Sequence, residues 1–139
     1  MSCLFCEMVA GREEASVVYD DDRVFALMDI RPVTPGHLMV VPKRHAASLA
    51  ELEDEDSDAL LRVARRAAAA LRASSLRCEG VNLFLADGEA AGQEVFHVHL
   101  HVLPRFEGDG FGLRFPPDYS VRARAELEDA AAKIREAWR

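Results

Sequence analysis

Residues 96–104 read Phe-His-Val-His-Leu-His-Val-Leu-Pro, a short apolar run with histidine at every second position. Side chains alternate between the two faces of a strand, so this pattern predicts a strand over residues 96–103. One face would carry three imidazoles and the other only aliphatic side chains. Three imidazoles in a row are a costly way to build an apolar core. The histidine face, which comprises His97, His99 and His101, is therefore predicted to be functional.

Two chemistries suit this histidine face. In the first, neighbouring histidines bind one zinc ion, because residues i and i+2 lie only about 6.6–6.8 Å apart along a strand. In the second, the middle histidine attacks phosphorus, since neutral imidazole is abundant near pH 7. His97 and His101 would lie about 13 Å apart, too far for all three histidines to share an ion easily. A zinc protein in which every histidine is structural is the third possibility.

The segment before this strand, residues 87–93, reads Asp-Gly-Glu-Ala-Ala-Gly-Gln. Glycine lets backbone N–H groups approach an anion closely. A glycine-bearing turn alone is a weak indication. One that leads into three alternating histidines favours phosphate chemistry.

The rest of the chain predicts an α+β fold. Apolar runs bounded by turn residues predict the other strands, at residues 17–19, 24–28, 38–41 and 81–85. Apolar residues at helical spacing predict a helix over residues 56–73, and a second helix over residues 126–138 closes the chain. We therefore expect one domain over residues 1–139, with five mainly antiparallel strands, mostly in a meander, and two helices.

Charge and composition exclude several classes of protein. The 139-residue chain carries 24 acidic and 17 basic residues, a formal charge of −7. A general binder of DNA or RNA needs a basic surface, so we expect no nucleic acid partner. No apolar run approaches the roughly 18 residues of a membrane span, and the N-terminus lacks the pattern of a secretory signal. We expect a cytoplasmic protein without a membrane partner.

Two of the three cysteines form the motif Cys3-Leu-Phe-Cys6. The motif by itself is ambiguous between zinc binding and redox chemistry. No βαβ pattern surrounds it, which disfavours a thioredoxin-like redox pair, whereas a zinc ion would need two further ligands. Cys78 stands alone and is predicted to be a small buried apolar residue.

Residues 92–105 strongly resemble the signature of the histidine triad (HIT) superfamily. Asp29-Ile30 and residues 35–45, which read Pro-Gly-His-Leu-Met-Val-Val-Pro-Lys-Arg-His, are similar to that family's second recurring segment. The resemblance runs from residue 3 to about residue 115 and is greatest to the small bacterial Hint-like members, while residues 118–139 add little. It implies a HIT-like fold and a homodimer whose two sheets join into ten strands.

The resemblance also implies an activity. HIT proteins are nucleotide hydrolases and transferases that attack an α-phosphate and pass through a nucleotidyl-histidine. Carried over, His99 is the nucleophile, His101 donates to the α-phosphate oxygens, and His37 lies close behind them. The expected substrate is a substituted purine nucleoside monophosphate such as a phosphoramidate, which releases AMP or GMP. The alternatives are a dinucleoside polyphosphate hydrolase and a nucleotide-binding or sensing protein with little turnover.

The nucleotide-binding residues follow from the same resemblance. The ribose is expected on the carboxylate of Asp29, which can accept from both hydroxyls, although this residue also suits a turn cap before Arg31. The base is expected beside Phe5, Leu27 and Ile30. The phosphate is expected at the glycine-bearing turn, beside Asp87, Gly92, Gln93 and Glu94.

The sequence departs from the family pattern at two positions. Ala86 stands where relatives carry Asn or Gln near the phosphate, and alanine has no side-chain donor. Glu94 stands where many relatives have Ser or Thr beside the leaving group, and its carboxylate disfavours a highly charged polyphosphate. Both departures affect the expected substrate and turnover, not the expected nucleophile.

The resemblance supplies the two missing zinc ligands. Several bacterial HIT proteins similar to this one bind zinc through a Cys-x-x-Cys motif, the histidine after the Pro-Lys segment and the first histidine of the triad. These residues are all present, as Cys3, Cys6, His45 and His97. In this arrangement His97 binds a structural zinc ion, and His99 and His101 remain for the phosphate.

Overall fold

The structure is a computed structural model that describes residues 3–139. Its centre is one antiparallel sheet of five strands, β1 (Val17–Asp20), β2 (Val24–Met28), β3 (Leu38–Pro42), β4 (Gly80–Phe84) and β5 (Leu100–Arg105). The spatial order is β1-β2-β3-β5-β4. The first three strands form the expected meander, but β5 lies between β3 and β4. The predicted five-stranded antiparallel sheet is confirmed.

Three helices accompany the sheet, α1 (Leu4–Val9), α2 (Asp54–Ala73) and α3 (Arg124–Ala137). Both predicted helices are present, as α2 and α3, and α1 is an additional helix. It was not predicted because it has only six residues, too few to show a helical period in the sequence. Helix α2 begins two residues earlier than predicted. Its first turn holds Asp54, Glu55 and Asp56, where the positive end of the helix dipole favours carboxylates.

The strand predicted over residues 96–103 begins only at Leu100. Before that point, two other hydrogen bonds take the place of the bonds between paired strands. Val98 N–H donates to Ala46 O at 2.8 Å, and His99 Nδ1 lies 2.8 Å from His97 O. The expectation that three histidines share one face of a strand was therefore wrong. Only His101 belongs to β5.

The two faces of the sheet are covered by different helices. Helix α2 covers one face, where Leu60, Val63 and Ala64 pack against the strands in a buried cluster. Helix α1 covers the other face through Phe5, which is 3% exposed and packs against strand residues such as Leu27. This contact brings the N-terminal cysteines next to the histidine segment.

Helix α3 lies outside these layers, and none of its residues is buried. In residues 3–139 we find no helix with the length and apolar character needed to cross a bilayer.

Candidate functional site

Histidine, cysteine and carboxylate side chains converge in two groups. The first contains Cys3, Cys6, His45 and His97, and the second contains Asp29, His37 and His101. In each group the potential ligand atoms lie within 4.8 Å of one another. The histidine segment thus divides between two sites, as the predicted separation of its roles requires.

The first group has the separations of a tetrahedral metal site. His97 Nδ1 lies 3.3 Å from Cys3 Sγ and 3.6 Å from Cys6 Sγ. His45 Nδ1 lies 3.2 Å from His97 Nδ1 and 3.5 Å from Cys6 Sγ. Zinc bonds of about 2.0–2.1 Å to nitrogen and 2.3 Å to sulfur place tetrahedral ligand atoms about 3.3–3.8 Å apart. Four of the six ligand–ligand separations therefore match those of a tetrahedral zinc site, and all six are within 4.8 Å.

The ring of His97 is fixed from behind. It is fully buried, and its Nε2 donates to the carbonyl oxygen of Pro42 at 2.6 Å. The lone pair of a neutral His97 is therefore on Nδ1, the atom that faces the two sulfurs. A backbone acceptor behind a ligating imidazole is a common outer contact of metal sites because it fixes the tautomer.

The two cysteines sit at the start of α1, with Cys3 immediately before the helix. This is the helical position that redox pairs also use, but two histidines face these sulfurs, and no described strand precedes them. Burial, and then the neighbouring Cys3, raise the pKa of the Cys6 thiol. A cation shared by both sulfurs removes that penalty.

His99 presents an unprotonated nitrogen to the adjoining cavity. Its Nδ1 lies 2.8 Å from His97 O, and a carbonyl only accepts, so Nδ1 carries the hydrogen. In the neutral ring Nε2 then keeps its lone pair. Phe5 packs against this ring, with centroids 5.2 Å apart, and holds it in place.

His101 has the opposite tautomer. Val33 N–H donates to His37 Nδ1 at 3.0 Å, so the hydrogen of neutral His37 is on Nε2. That Nε2–H donates to His101 Nδ1 at 2.8 Å. His101 consequently carries its own hydrogen on Nε2 and is a donor to the cavity.

The environment favours the neutral form of His101 and His37. Burial, reinforced by His99 and His37, lowers the pKa of His101 from 6.5 to about 4 against the opposing effect of Asp29. Burial likewise lowers the pKa of His37, again opposed by Asp29. Near neutral pH, His101 is therefore a hydrogen-bond donor without a positive charge.

A cavity of about 450 Å³ opens beside His99 and His101, within the range of small-ligand pockets. Its apolar walls are formed by Leu4, Phe5, Met8, Leu27, Met39 and Val95. Its polar lining consists of Asp29, Arg31, Glu94 and the two histidines, and Met28, Ile30 and Gly92 complete it. The lining thus combines apolar side chains with charged ones.

Asp29 caps the turn before Arg31 and also lines the cavity. Its Oδ1 accepts from Arg31 N–H at 2.8 Å, which is the turn cap. Its Oδ2 lies 3.4 Å from His37 Nε2 and 3.8 Å from His101 Nδ1, and the residue lines the cavity.

Two predicted phosphate-binding residues lie away from the cavity. Asp87 accepts from Leu49 N–H at 3.0 Å. Gln93 is 4% exposed and ties its own turn together, since its Oε1 accepts from Gly88 N–H and its Nε2 donates to Ala47 O and Val95 O. Both side chains are already used by the backbone, so they support the turn and do not line the cavity. Ala86 is also buried outside the cavity lining.

Six lining residues were missed from the sequence: Leu4, Met8, Met28, Arg31, Met39 and Val95. Leu4 and Met8 are four residues apart on α1 and would have been found if that helix had been predicted. Met39 lies directly opposite His101 in the pairing of β3 with β5. Such a pair requires the strand register, which the sequence does not provide.

This antiparallel α+β fold with a histidine-lined cavity has clear relatives. Residues 10–108 match the HIT domain family model. An uncharacterized HIT-like protein of Borreliella burgdorferi is 43% identical over 113 residues, which cover 81% of each chain.

Solved structures agree with this match. A HIT family protein from Bacillus anthracis has a TM-score of 0.89 at 36% identity, covering 99% of this chain and 97% of that chain. A Zn-bound histidine triad family protein from Mycobacterium smegmatis has a TM-score of 0.78 at 40% identity, covering 99% and 98%. A histidine triad nucleotide-binding protein from Candida albicans has a TM-score of 0.86 at 26% identity, covering 98% and 96%.

The chain belongs to the HIT family. This confirms the resemblance recognised in residues 92–105.

Proposed function

We propose that this protein hydrolyses substituted purine nucleoside monophosphates, such as nucleoside phosphoramidates, at the α-phosphate. The observation that carries the proposal is the pair of complementary tautomers, an acceptor nitrogen on His99 beside a donor nitrogen on His101, in one cavity. Attack on a phosphoryl centre needs a nucleophilic lone pair and a nearby donor for the charge that develops on oxygen.

The nucleotide is oriented so that its apolar part contacts the apolar lining and its polar parts contact the polar lining. The purine ring occupies the apolar end between Phe5, Leu27 and Met39, with Ile30 at its edge. The ribose hydroxyls lie at Asp29, and the α-phosphate lies between His99 and His101 and beside Gly92. This orientation leaves the substituent on phosphorus at the charged, open end.

The reaction has two displacements. In the first, the lone pair of His99 Nε2 forms a bond to phosphorus, and the phosphorus–nitrogen bond to the leaving amine breaks. The amine departs with that electron pair and takes one proton from solvent. In the second, water attacks phosphorus, the bond to Nε2 breaks with its electron pair returning to nitrogen, and the proton that water loses goes to solvent. AMP or GMP is released with a regenerated imidazole.

His101 and His37 assist both displacements. The Nε2–H of His101 donates to a non-bridging oxygen, and that bond strengthens as charge builds on the oxygen. His37 is a positioning residue, since its Nε2–H holds His101 in the donor tautomer at 2.8 Å. Neither role requires a change of protonation state near pH 7.

Replacing His99 tests the proposed nucleophile. His99→Ala is expected to lower the rate of AMP release from adenosine 5′-phosphoramidate by about 10³-fold or more, the scale on which removal of a nucleophile acts. The rate is followed by chromatography of AMP. Calorimetry should show that the variant still binds AMP, because the apolar end of the cavity is intact.

Comparable rates in wild type and His99→Ala would contradict the mechanism. Tight AMP binding without hydrolysis of phosphoramidates or dinucleoside polyphosphates by the wild type would favour the nucleotide-sensing alternative.

The cysteine–histidine group holds a structural zinc ion in this proposal. Its ligands come from the start of α1 (Cys3 and Cys6), the segment after β3 (His45) and the segment before β5 (His97). When bound, the ion joins these distant parts of the chain. It thereby fixes the position of Phe5, which lies between the two cysteines in the sequence, and of His97, which is two residues before His99.

The zinc site is tested by a matched pair of cysteine variants. Protein purified without chelators should contain about one zinc per chain by elemental analysis. Cys3→Ser should lose most of the metal and lower Tm by roughly 5–10 °C, since the ion links segments that are far apart in sequence. Cys78→Ser, which lies outside the cysteine–histidine group, should keep the wild-type zinc content and Tm. Full zinc content and an unchanged Tm in Cys3→Ser would refute a structural site.

The protein is also proposed to be a homodimer that extends its sheet through β4. Strand β4 lies at one edge of the sheet and pairs only with β5. Two neighbouring apolar side chains on it, Leu83 and Phe84, are 43% and 47% exposed. Exposed apolar edges of this kind favour pairing with another strand, and two-fold pairing is the commonest arrangement in soluble proteins.

The dimer is tested at the two edges of the sheet. Sedimentation at micromolar concentration should give a dimer for the wild type and a monomer for Leu83→Lys, because lysine on an edge strand opposes pairing. Val18→Lys, on the opposite edge strand β1, should remain dimeric. A monomeric wild type, or dissociation by Val18→Lys alone, would exclude the β4 interface.

A further inference from the structure

An ion pair crosses the opening of the cavity and takes no part in the reaction described above. Arg31 Nη2 lies 3.2 Å from Glu94 Oε2, and the two side chains are 81% and 79% exposed. Arg31 belongs to the loop after β2, whereas Glu94 belongs to the segment that precedes β5. Both residues line the cavity, so the pair connects two of its walls at the solvent side.

The exposed fractions of the lining side chains indicate which of them lie deep in the cavity and which lie near solvent. Phe5 and Leu27, which are 3% and 1% exposed, form the closed end. His99 and His101 are partly buried, and the ion pair lies at the open end. When the α-phosphate lies between the histidines, an attached group that extends towards solvent lies beside Arg31 and Glu94.

The charged side chains of the cavity lining sum to a net negative charge. Asp29 and Glu94 are acidic, and Arg31 is the single basic residue in the described lining. The neutral imidazole of His101 does not change this balance, and a bound α-phosphate adds a further negative charge. An anionic leaving group is repelled under these conditions, whereas a cationic one is attracted.

We propose that Glu94 selects substrates whose leaving group carries a positive charge, such as an amine with a second ammonium, and discriminates against anionic leaving groups. The ammonium of such a group takes the place of Arg31 at the Glu94 carboxylate. An exposed ion pair is weak, so this exchange costs little. The inference rests on the proposed function for the position of the α-phosphate.

The test uses three adenosine 5′-phosphoramidates with the same phosphorus–nitrogen linkage. Their leaving amines are 1,2-diaminoethane, propylamine and β-alanine, which present a free ammonium, a neutral methyl and a carboxylate. At low salt, kcat/KM of the wild type should follow the order cationic, neutral, anionic. We expect a cation-to-anion ratio of about tenfold, which decreases as salt screens the charges.

Two variants should move this ratio in opposite directions. Glu94→Gln, which removes the negative charge at nearly constant shape, should bring the ratio close to one. Arg31→Gln, which removes the positive charge, should increase the ratio above the wild-type value. Glu89→Gln is the matched control, because Glu89 is an exposed carboxylate of the same turn that does not line the cavity, and it should leave the ratio unchanged.

A wild-type ratio near one, a preference for the β-alanine compound, or an unchanged ratio in Glu94→Gln would overturn the inference while leaving the proposed hydrolysis intact. If the wild type released no AMP from any of the three compounds, the proposed function would fail, and this inference with it.

Discussion

Each histidine of the 97–101 segment uses one ring nitrogen to hold the fold and offers the other for chemistry. His97 donates to Pro42 O, His99 donates to His97 O, and His101 accepts from His37. These three hydrogen bonds fix ring orientation and tautomer together. The proposed metal site, the proposed nucleophile and the proposed phosphate donor all depend on them, because a rotated ring would present the wrong nitrogen.

The same bonds explain why the sequence pattern was misleading in detail. Alternating histidines predict a regular strand, in which all three rings would point from one face. The chain instead leaves the sheet before Leu100, where Val98 pairs with Ala46. That departure sends His97 towards the cysteines and leaves His99 and His101 with their ring centroids 5.0 Å apart.

Much of the fold could be predicted because it depends on local patterns. Strand β2 has the predicted bounds and α2 is close to them, since buried apolar runs and a helical stripe are visible in the residues themselves. Helix α1 could not be predicted, because its six residues are too few to show a helical period, and its buried residue, Phe5, packs against the sheet through tertiary contacts. For the candidate site, the sequence indicated which chemical types of side chain to expect, but not where each side chain lies. Asp87 and Gln93 are polar and adjacent to the glycines, yet the backbone already uses both side chains.

The central claim is that the fold holds His99 and His101 in complementary tautomers and keeps His101 neutral. The unfolded chain binds a proton at such a histidine near pH 6.5, whereas burial lowers the folded pKa of His101 to about 4. The free energy of unfolding therefore decreases as the pH falls from 6.5 towards 4. Long-range ¹H–¹⁵N spectra of the imidazoles measure the tautomers and this pKa directly. Neutral His99 should carry its proton on Nδ1 and His101 on Nε2, and His101 should titrate near pH 4. A proton on Nδ1 of neutral His101, or a midpoint near 6.5, would contradict the account.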